Sequence, residues 1–263
     1  MSLLNTYLIG GMVILGFMLI LWLVSLRLKN SSIVDIFWGA GFVISGWTYF
    51  LLTPDGFPAR KLILMLLTTL WGLRLTLHIL IRNWGKPEDF RYQKWREEHG
   101  SKWWLRSLFQ VFILQGFLMW VISIPLLAGQ YWSNPTRLTL VDFLGITLWA
   151  IGFFFEAVGD WQLTRFKANP ENRGKLLSTG VWKYSRHPNY FGDAAQWWGF
   201  YLLAAAAGGW WTVYSPALMT LLLVRVSGVA LLEKTLTNTK PGYAEYVRST
   251  SAFIPWFPRK PKK

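Results

Sequence analysis

Long apolar runs dominate the chain and restrict what it can fold into. Seven runs of about 19–23 residues are each long enough to cross roughly 30 Å of hydrocarbon as a helix. The predicted spans are 6–26, 33–52, 61–81, 107–129, 140–158, 190–208 and 210–232. With 53% apolar and only 15% charged residues, the chain is expected to be an all-α integral membrane protein, a seven-transmembrane-helix bundle.

The lysines and arginines set the expected orientation of these spans. With the N-terminus outside and the C-terminus in the cytoplasm, the inner segments contain 22 of the 27 basic residues, whereas the outer loops contain only Arg60, Lys61 and Arg137. Cytoplasmic loops are enriched in Lys and Arg, so this division favours that topology. The net charge of +14 is therefore mostly a signal of this topology. No nucleic-acid partner is expected.

The chain contains no cysteine, which excludes a disulfide framework, a thiolate nucleophile and a Cys-built zinc site. We expect no bound metal. The first apolar run has neither a preceding positive charge nor a small-residue cleavage site, so it is interpreted as a retained helix. There is no internal repeat, and residues 1–263 are expected to form one membrane domain.

The segment 184–193 carries a dense group of polar side chains where the sixth predicted span begins. Its candidate ligand-binding residues are Tyr184, Arg186, His187, Asn189, Tyr190 and Asp193, followed on the helix by Trp197. A helix N-terminus favours anions, and an arginine adds a planar fork that fits phosphate. A structural alternative is that Asn189 caps the helix and Arg186 binds lipid phosphate.

A second polar group lies at the end of the fifth predicted span. Glu156 and Asp160 lie on one helical face, and Leu163 and Lys167 continue that face, at spacings of four, three and four residues. The two carboxylates could accept hydrogen bonds from a ribose or an amide, and Lys167 could meet a phosphate. The alternative is an ordinary charge pair at the membrane interface.

Arg225 and Glu233 lie eight residues apart on the seventh predicted span, on roughly one face. An arginine at membrane depth needs a carboxylate or a phosphate, because an unpaired charge there costs on the order of several kcal/mol. A ligand phosphate would satisfy Arg225, and so would a structural ion pair with Asp160 or Asp193.

In the N-terminal half, Asp35 begins the second predicted span, and Arg74 and His78 lie one turn apart on the third. A carboxyl group at this depth is a candidate proton donor. The alternative is that Arg74 and His78 simply neutralise Asp35.

The segment 87–106 is amphipathic and is expected to lie along the inner membrane interface. Residues 83–86, and Arg91-Tyr92 within the segment, could also close over a bound ligand. Asn83 and Lys86 therefore join the candidate cofactor-binding residues, and Tyr92 joins the candidate site.

Residues 180–193, together with Trp197-Trp198-Gly199, resemble the C-terminal signature of the steroid 5α-reductase family, in particular its bacterial branch. The likeness covers 145–257, and the stretch 83–87 resembles an N-terminal motif more loosely. The resemblance implies a seven-helix membrane fold that reduces a carbon–carbon double bond conjugated to a ketone. It also implies NADPH, held by the C-terminal helices and cytoplasmic loops, and a steroid-like lipid substrate.

By this resemblance, the implied cofactor contacts are Asp160, Leu163, Lys167, Asn189, Asp193 and Arg225. Glu156 stands where better-known steroid reductases have Asn, and Glu233 where they have Tyr, which leaves a different substrate open. Asp35 corresponds by position to the glutamate that grips the substrate ketone in those enzymes. No tyrosine matches their second gripping residue on the third span, and His78 or Tyr92 is the candidate replacement.

The resemblance divides the chain into substrate-side helices 1–4 in residues 1–130 and cofactor-side helices 5–7 with cytoplasmic loops in 131–263. We expect a monomeric NADPH-dependent reductase in the bacterial inner membrane, with its cofactor site facing the cytoplasm. The alternative is an S-adenosylmethionine-dependent membrane methyltransferase of the isoprenylcysteine type, whose Arg-His-Pro-x-Tyr-x-Gly signature is similar. A transporter or lipid-binding bundle would need polar residues along a through-path, whereas here the long polar segments lie on one side.

Overall fold

The structure is a computed structural model in which residues 1–226, 229, 233 and 241–259 are described. This part of the chain is helical and contains no β-strand. Its α-helices are α1 (Leu3–Leu28), α2 (Ile33–Ile36), α3 (Trp38–Leu52), α4 (Pro58–Asn83), α5 (Phe90–His99), α6 (Trp103–Ser107), α7 (Leu114–Ile122), α8 (Ile124–Tyr131), α9 (Leu140–Ala168), α10 (Pro188–Ala206), α11 (Tyr214–Leu221) and α12 (Tyr243–Ser249). The all-α prediction is confirmed for the described residues.

Within the described residues, four helical segments are long and apolar enough to cross a membrane, by length and composition alone. They are Leu3–Leu28, Pro58–Asn83, Phe90–Tyr131 and Leu140–Ala168. Several such segments in one chain are typical of a multi-pass membrane protein, which agrees with the predicted class. The count of seven spans and their orientation remain predictions.

The second predicted span, 33–52, is interrupted near its start. In place of one helix over 33–52, the short α2 and the longer α3 meet at Phe37, whose backbone (φ −92°, ψ 7°) is not helical. Asp35 therefore lies in a separate helical turn. Of the predicted span 210–232, α11 and a π-helical turn, Leu222–Val226, are observed, and residues 227, 228 and 230–232 lie outside the described residues.

The chain groups into two compact units, which are described separately. The first consists of residues 1–139 and 203–212, and the second of 140–202 with the described residues from 213 onward. In the first unit, α3 and α4 approach so closely that a Cβ atom added to Gly39 would lie 2.3 Å from the carbonyl oxygen of Gly72. Small residues allow such close helix contacts in membrane proteins.

In the second unit, glycines bring α9 and α10 together. They recur every seven residues on both helices, at Gly145, Gly152 and Gly159 on α9 and at Gly192 and Gly199 on α10. A Cβ atom on Gly152 would lie 2.5 Å from the Gly192 carbonyl oxygen, and one on Gly199 would lie 2.8 Å from that of Gly145. The helix backbones are therefore in contact, which sets the polar side chains of α9 against those of α10.

Candidate functional site

Asp160 on α9 and Asn189 in the first turn of α10 are in direct contact. The side-chain amide of Asn189 donates a hydrogen bond of 3.0 Å to Asp160 Oδ1. The other end of the amide, Asn189 Oδ1, accepts a hydrogen bond of 3.1 Å from the backbone N–H of Tyr190. Asn189 is thereby held in one orientation, with the nearly buried Asp160 carboxylate beside it.

One turn before Asp160, Glu156 pairs with Gln196 of α10. The Gln196 amide nitrogen donates to Glu156 Oε2 at 2.6 Å and to the Gly192 carbonyl at 3.2 Å. Gln196 is fully buried, and its Oε1 atom has no hydrogen-bond partner within the described part of the chain. A buried acceptor without a partner is costly, so a ligand donor at this atom would be stabilising.

Arg186 is held by the C-terminal segment of the same unit. Its Nη2 and Nε atoms lie 2.6 and 2.8 Å from Glu233 Oε1. Its Nη1 atom donates to the carbonyl oxygens of Thr250, at 2.5 Å, and Val247, at 3.2 Å. The guanidinium fork that the sequence predicts for a ligand phosphate is therefore engaged within the protein, and Glu233 is its counter-ion.

His187 lies beside this ion pair in a buried position. Its Nε2 atom is 3.4 Å from Glu233 Oε1, and its ring stacks on Tyr190 with the centroids 5.8 Å apart. Burial lowers the pKa of the His187 imidazole below its usual value; Arg186 lowers it further, and Glu233 only partly opposes the shift. The ring is therefore neutral at physiological pH and can act as a hydrogen-bonding group.

The other residues predicted for the second unit differ in their exposure. Asp193 and Trp197 are buried on α10. On α9, Leu163 is half-buried and Lys167 is exposed, and Arg225 is also exposed. Lys167 and Arg225 thus have accessible cationic side chains, as phosphate-binding residues require. Tyr184 is exposed, and its ring packs edge-on against Phe257.

A separate polar cluster in the first unit is centred on Asp35. The Tyr92 hydroxyl donates a hydrogen bond of 2.7 Å to Asp35 Oδ1, and Arg91 Nη2 lies 3.1 Å from Asp35 Oδ2. Gln115 Nε2 donates to the Tyr92 hydroxyl oxygen at 3.2 Å. The carboxylate thus lies between a phenol and a guanidinium, and the phenol is oriented from its other side by an amide.

Surrounding contacts fix this cluster. Glu88 accepts hydrogen bonds of 2.9 Å from both Nε and Nη2 of Arg96 and also accepts one from the backbone N–H of Ser31. The Ser32 hydroxyl accepts a hydrogen bond of 3.3 Å from the backbone N–H of Asp89. These bonds join the turn that carries Asp35 to the start of the helix that carries Tyr92.

The remaining candidates of the first unit lie on or after α4. His78 is half-buried on α4 and Asn83 is its last residue, whereas Lys86 is exposed in the loop that follows. Of the three predicted catalytic residues, the structure therefore brings Asp35 and Tyr92 into direct contact.

The sequence of this chain matches a known protein family. The match runs over residues 21–250, and the family is described as a protein of unknown function, DUF1295. The chain belongs to the DUF1295 family. The matched stretch of this DUF1295 chain includes both the Asp35–Tyr92 contact and the Asp160–Asn189 contact.

Two proteins of Schizosaccharomyces pombe are similar to parts of the DUF1295 chain. The uncharacterized protein C594.04c is 27% identical over 222 residues, which cover 73% of this chain and 63% of that protein. The Delta(14)-sterol reductase erg24 is 35% identical over 98 residues, which cover 32% of this chain and 23% of that protein. The chain thus spans less than two thirds of the length of either relative. No solved structure matches it.

Sequence reasoning missed two polar residues of these clusters, Gln115 and Gln196, although a signal existed for both. Gln115 is an amide inside an apolar run, and Gln196 follows Asn189 by seven residues on one helical face.

Among the described residues of the DUF1295 chain, no group of three or more His, Asp or Glu side chains could hold a metal ion.

Proposed function

We propose that this chain is a membrane-embedded, NADPH-dependent reductase of a carbon–carbon double bond in a steroid-like lipid. The observation that carries the proposal is the Asp35–Tyr92 hydrogen bond of 2.7 Å, in a chain that shares sequence with a sterol reductase. Reduction of a double bond needs a proton as well as a hydride, and a carboxyl–phenol pair is a proton-donating couple. The likeness to steroid 5α-reductases supports a double bond conjugated to a ketone.

The first unit is assigned the proton chemistry. A substrate carbonyl that accepts a hydrogen bond from the Tyr92 hydroxyl would be stabilised as negative charge develops on its oxygen. For this step Asp35 takes up a proton from water and donates it in a hydrogen bond to the phenol oxygen, which leaves the Tyr92 O–H free to bond the substrate carbonyl. The phenol proton then moves to the substrate as the Asp35 proton moves to the phenol oxygen. Gln115 keeps the phenol in place during this transfer, because it donates to the same oxygen at 3.2 Å.

The second unit is assigned the cofactor, because its polar side chains offer groups that a dinucleotide would need. The buried Gln196 Oε1 atom, which lacks a partner among the described residues, can accept a hydrogen bond from an amide or a hydroxyl. The Asp160 carboxylate can accept from ribose hydroxyls, and the exposed Lys167 can meet a phosphate. NADPH supplies the hydride when it is bound. The other residues of the second unit that we propose to bind the cofactor are Glu156, Leu163, Tyr184, Arg186, His187, Asn189, Tyr190, Asp193, Trp197, Arg225 and Glu233.

The proposal includes a topology. Seven spans, with the N-terminus outside and the cofactor residues on the cytoplasmic side of a bacterial inner membrane, would place the site where NADPH is made. The concentration of 22 of the 27 basic residues in the inner segments supports this orientation. The four long apolar helical segments support the multi-pass arrangement.

The first experiment measures the melting temperature of the purified chain in neutral detergent. NADPH is expected to raise it, because a ligand that binds only the folded state stabilises that state. S-adenosylmethionine is expected to leave it unchanged. Stabilisation by S-adenosylmethionine alone would favour the methyltransferase instead and contradict the cofactor assignment.

The second experiment follows the near-ultraviolet absorbance of NADPH after a lipid is added. A 3-oxo-Δ4 steroid and a Δ14 sterol are supplied separately, since the likeness to 5α-reductases points to the first and the relative's name to the second. Lipid-dependent consumption of NADPH supports the reductase. If the chain binds NADPH but oxidises it with neither lipid, the steroid-like substrate is contradicted, and the NADPH assignment is not affected.

A further inference from the structure

The C-terminal end of the second unit contains a cavity of about 380 Å³ next to Arg186. Its walls are the last turn of α12 and the chain that follows as far as Arg259. We call it the C-terminal cavity. Its volume lies within the range of about 300–1,000 Å³ that is usual for small-molecule sites.

The C-terminal cavity is cationic. Its lining includes Arg186, Arg248 and Arg259 and, among the described residues, no carboxylate. Glu233 compensates the charge of Arg186. Arg248 and Arg259 are exposed, and within the described chain neither side chain makes a hydrogen bond or an ion pair. Two uncompensated guanidinium groups around one cavity attract an anion, and their planar forks fit the oxygens of a phosphate.

The backbone of the cavity wall is fixed before any ligand binds. The Arg186 backbone N–H donates to the Ser251 carbonyl at 2.9 Å, and the Arg259 backbone N–H donates to the Ser249 carbonyl at 2.8 Å. The Trp256 backbone N–H donates to the Tyr184 carbonyl at 2.9 Å. Because this ordering is already present, a ligand does not have to supply it, which favours binding.

The rim of the C-terminal cavity is apolar and exposed. Ile254, Trp256 and Phe257 are 63%, 70% and 76% exposed. Trp is enriched where a protein meets the headgroup region of a bilayer, and exposed apolar side chains beside it are suited to acyl chains. A cationic cavity with such a rim matches a molecule that has a phosphate at one end and hydrocarbon at the other.

We propose that the C-terminal cavity binds a phosphate group, with Arg248 and Arg259 as its ligands. The apolar rim favours the headgroup phosphate of an anionic membrane lipid as the source, and soluble phosphate is the other source that the test distinguishes. This site goes beyond the proposed reductase activity, because it needs neither NADPH nor a reducible lipid.

The test compares three forms of the purified chain in neutral detergent. They are the unchanged chain, the cavity variant Arg248→Gln with Arg259→Gln, and a control, Arg165→Gln with Lys183→Gln. The control removes the same charge from exposed positions of the second unit. Each form is titrated with phosphatidylglycerol, phosphatidylcholine and inorganic phosphate, with binding followed by tryptophan fluorescence.

For phosphatidylglycerol we expect the cavity variant to lose about 25-fold in affinity, since each basic residue near an anionic lipid contributes about fivefold. The control is expected to lose less than about threefold, because neither residue lines the cavity and exposed charges are screened by salt. If the glutamine pair lowers the melting temperature without ligand, the two single variants replace it. Each single variant is then expected to lose about fivefold.

The outcomes separate the two sources. Saturable binding of phosphatidylglycerol that only the cavity variant loses assigns the site to a lipid headgroup. The same pattern with inorganic phosphate, and not with the lipid, assigns it to soluble phosphate. Equal loss in the cavity variant and the control, or no saturable binding of either anion, overturns the proposal.

Discussion

The polar clusters of the two units are built in different ways. In the second unit, Glu156 and Asp160 lie one turn apart on α9 and meet Gln196 and Asn189 of α10. In the first unit, the partners come from separate elements. Tyr92 follows Asp35 by 57 residues, and Gln115 follows Tyr92 by 23. The polar face of the second unit thus follows from the periodicity of two helices, whereas the contact between Asp35 and Tyr92 needs long-range folding.

The two clusters also differ in how their polar atoms are satisfied. In the first unit, Asp35 has a hydrogen bond and a counter-ion, so the cluster is complete without a ligand. In the second, the buried Gln196 Oε1 atom has no partner among the described residues. This contrast agrees with the proposed division, in which the first cluster transfers a proton and the second binds the cofactor, and the following variants test it.

The variant Tyr92→Phe is expected to lower kcat about 100-fold or more, since a positioned acid contributes about 10²–10⁴-fold to rate. NADPH affinity should change less than about twofold, because no cofactor residue is altered. Single-turnover kinetics and NADPH titration measure the two effects. The control is Tyr131→Phe, which removes a phenol bonded to the Met1 carbonyl in the same unit.

Asp35→Asn should give a similar loss of kcat, because the amide cannot return a proton to the phenol. The double variant with Tyr92→Phe should be little worse than either single variant, since both residues serve one transfer. Multiplied losses, or a loss of NADPH affinity equal to the loss of rate, would contradict the assignment of the first cluster.

Gly192→Ala tests the helix contact that assembles the second cluster. The added Cβ atom would lie 2.4 Å from the Glu156 backbone nitrogen, and such overpacking costs about 1–3 kcal/mol. We expect a lower melting temperature and weaker NADPH binding, with kcat at saturating NADPH little changed. Gly16→Ala is the control, since an added Cβ there meets nothing within 4 Å. Equal effects of both substitutions would contradict the close contact.

Asn189→Ala is expected to raise the Kd for NADPH about tenfold, which is about 1.4 kcal/mol, the value of one hydrogen bond to a charged or polar group. Turnover at saturating NADPH should remain nearly unchanged. Asn172→Ala, which removes an amide bonded to the Phe166 carbonyl, is the control. An unchanged Kd in Asn189→Ala would remove this residue from the cofactor site.

The weakest effect concerns pH. Burial holds the His187 pKa below its ordinary value of 6.5, so below pH 6.5 the unfolded chain binds a proton more readily than the folded chain. The free energy of unfolding therefore falls as the pH drops through about 6.5, and the stability is fully present above it. The melting temperature should fall less steeply on acidification in His187→Gln than in the unchanged chain. Identical pH profiles would contradict a buried, neutral His187.

The sequence predicted the second cluster better than the first for a physical reason. Spacings of three and four residues place side chains on one helical face whatever the rest of the chain does, so Glu156 and Asp160 could be grouped directly. Contact between Asp35 and Tyr92 instead depends on the turn at Phe37 and on the hydrogen bonds of Glu88. Local propensity does not specify such long-range contacts.

Arg186 is an instructive case of the same limit. Its place before α10 indicated a ligand phosphate, but its guanidinium contacts Glu233 and carbonyl oxygens 61 and 64 residues further along the chain. The sequence indicated that an arginine at this position needs hydrogen-bond acceptors. Which acceptors it finds depends on the tertiary structure.

The membrane helices show the same limit. Apolar runs predicted helices, but the length of the segment Phe90–Tyr131 depends on several short helical elements that follow one another without a break.

The most direct test of the reductase follows deuterium from the reduced C4 position of labelled NADPH into a steroid-like lipid. The account predicts one deuterium in each product molecule, with product formed about 100-fold more slowly by Tyr92→Phe. A folded protein that binds NADPH yet transfers no deuterium to a 3-oxo-Δ4 steroid or a Δ14 sterol would contradict it.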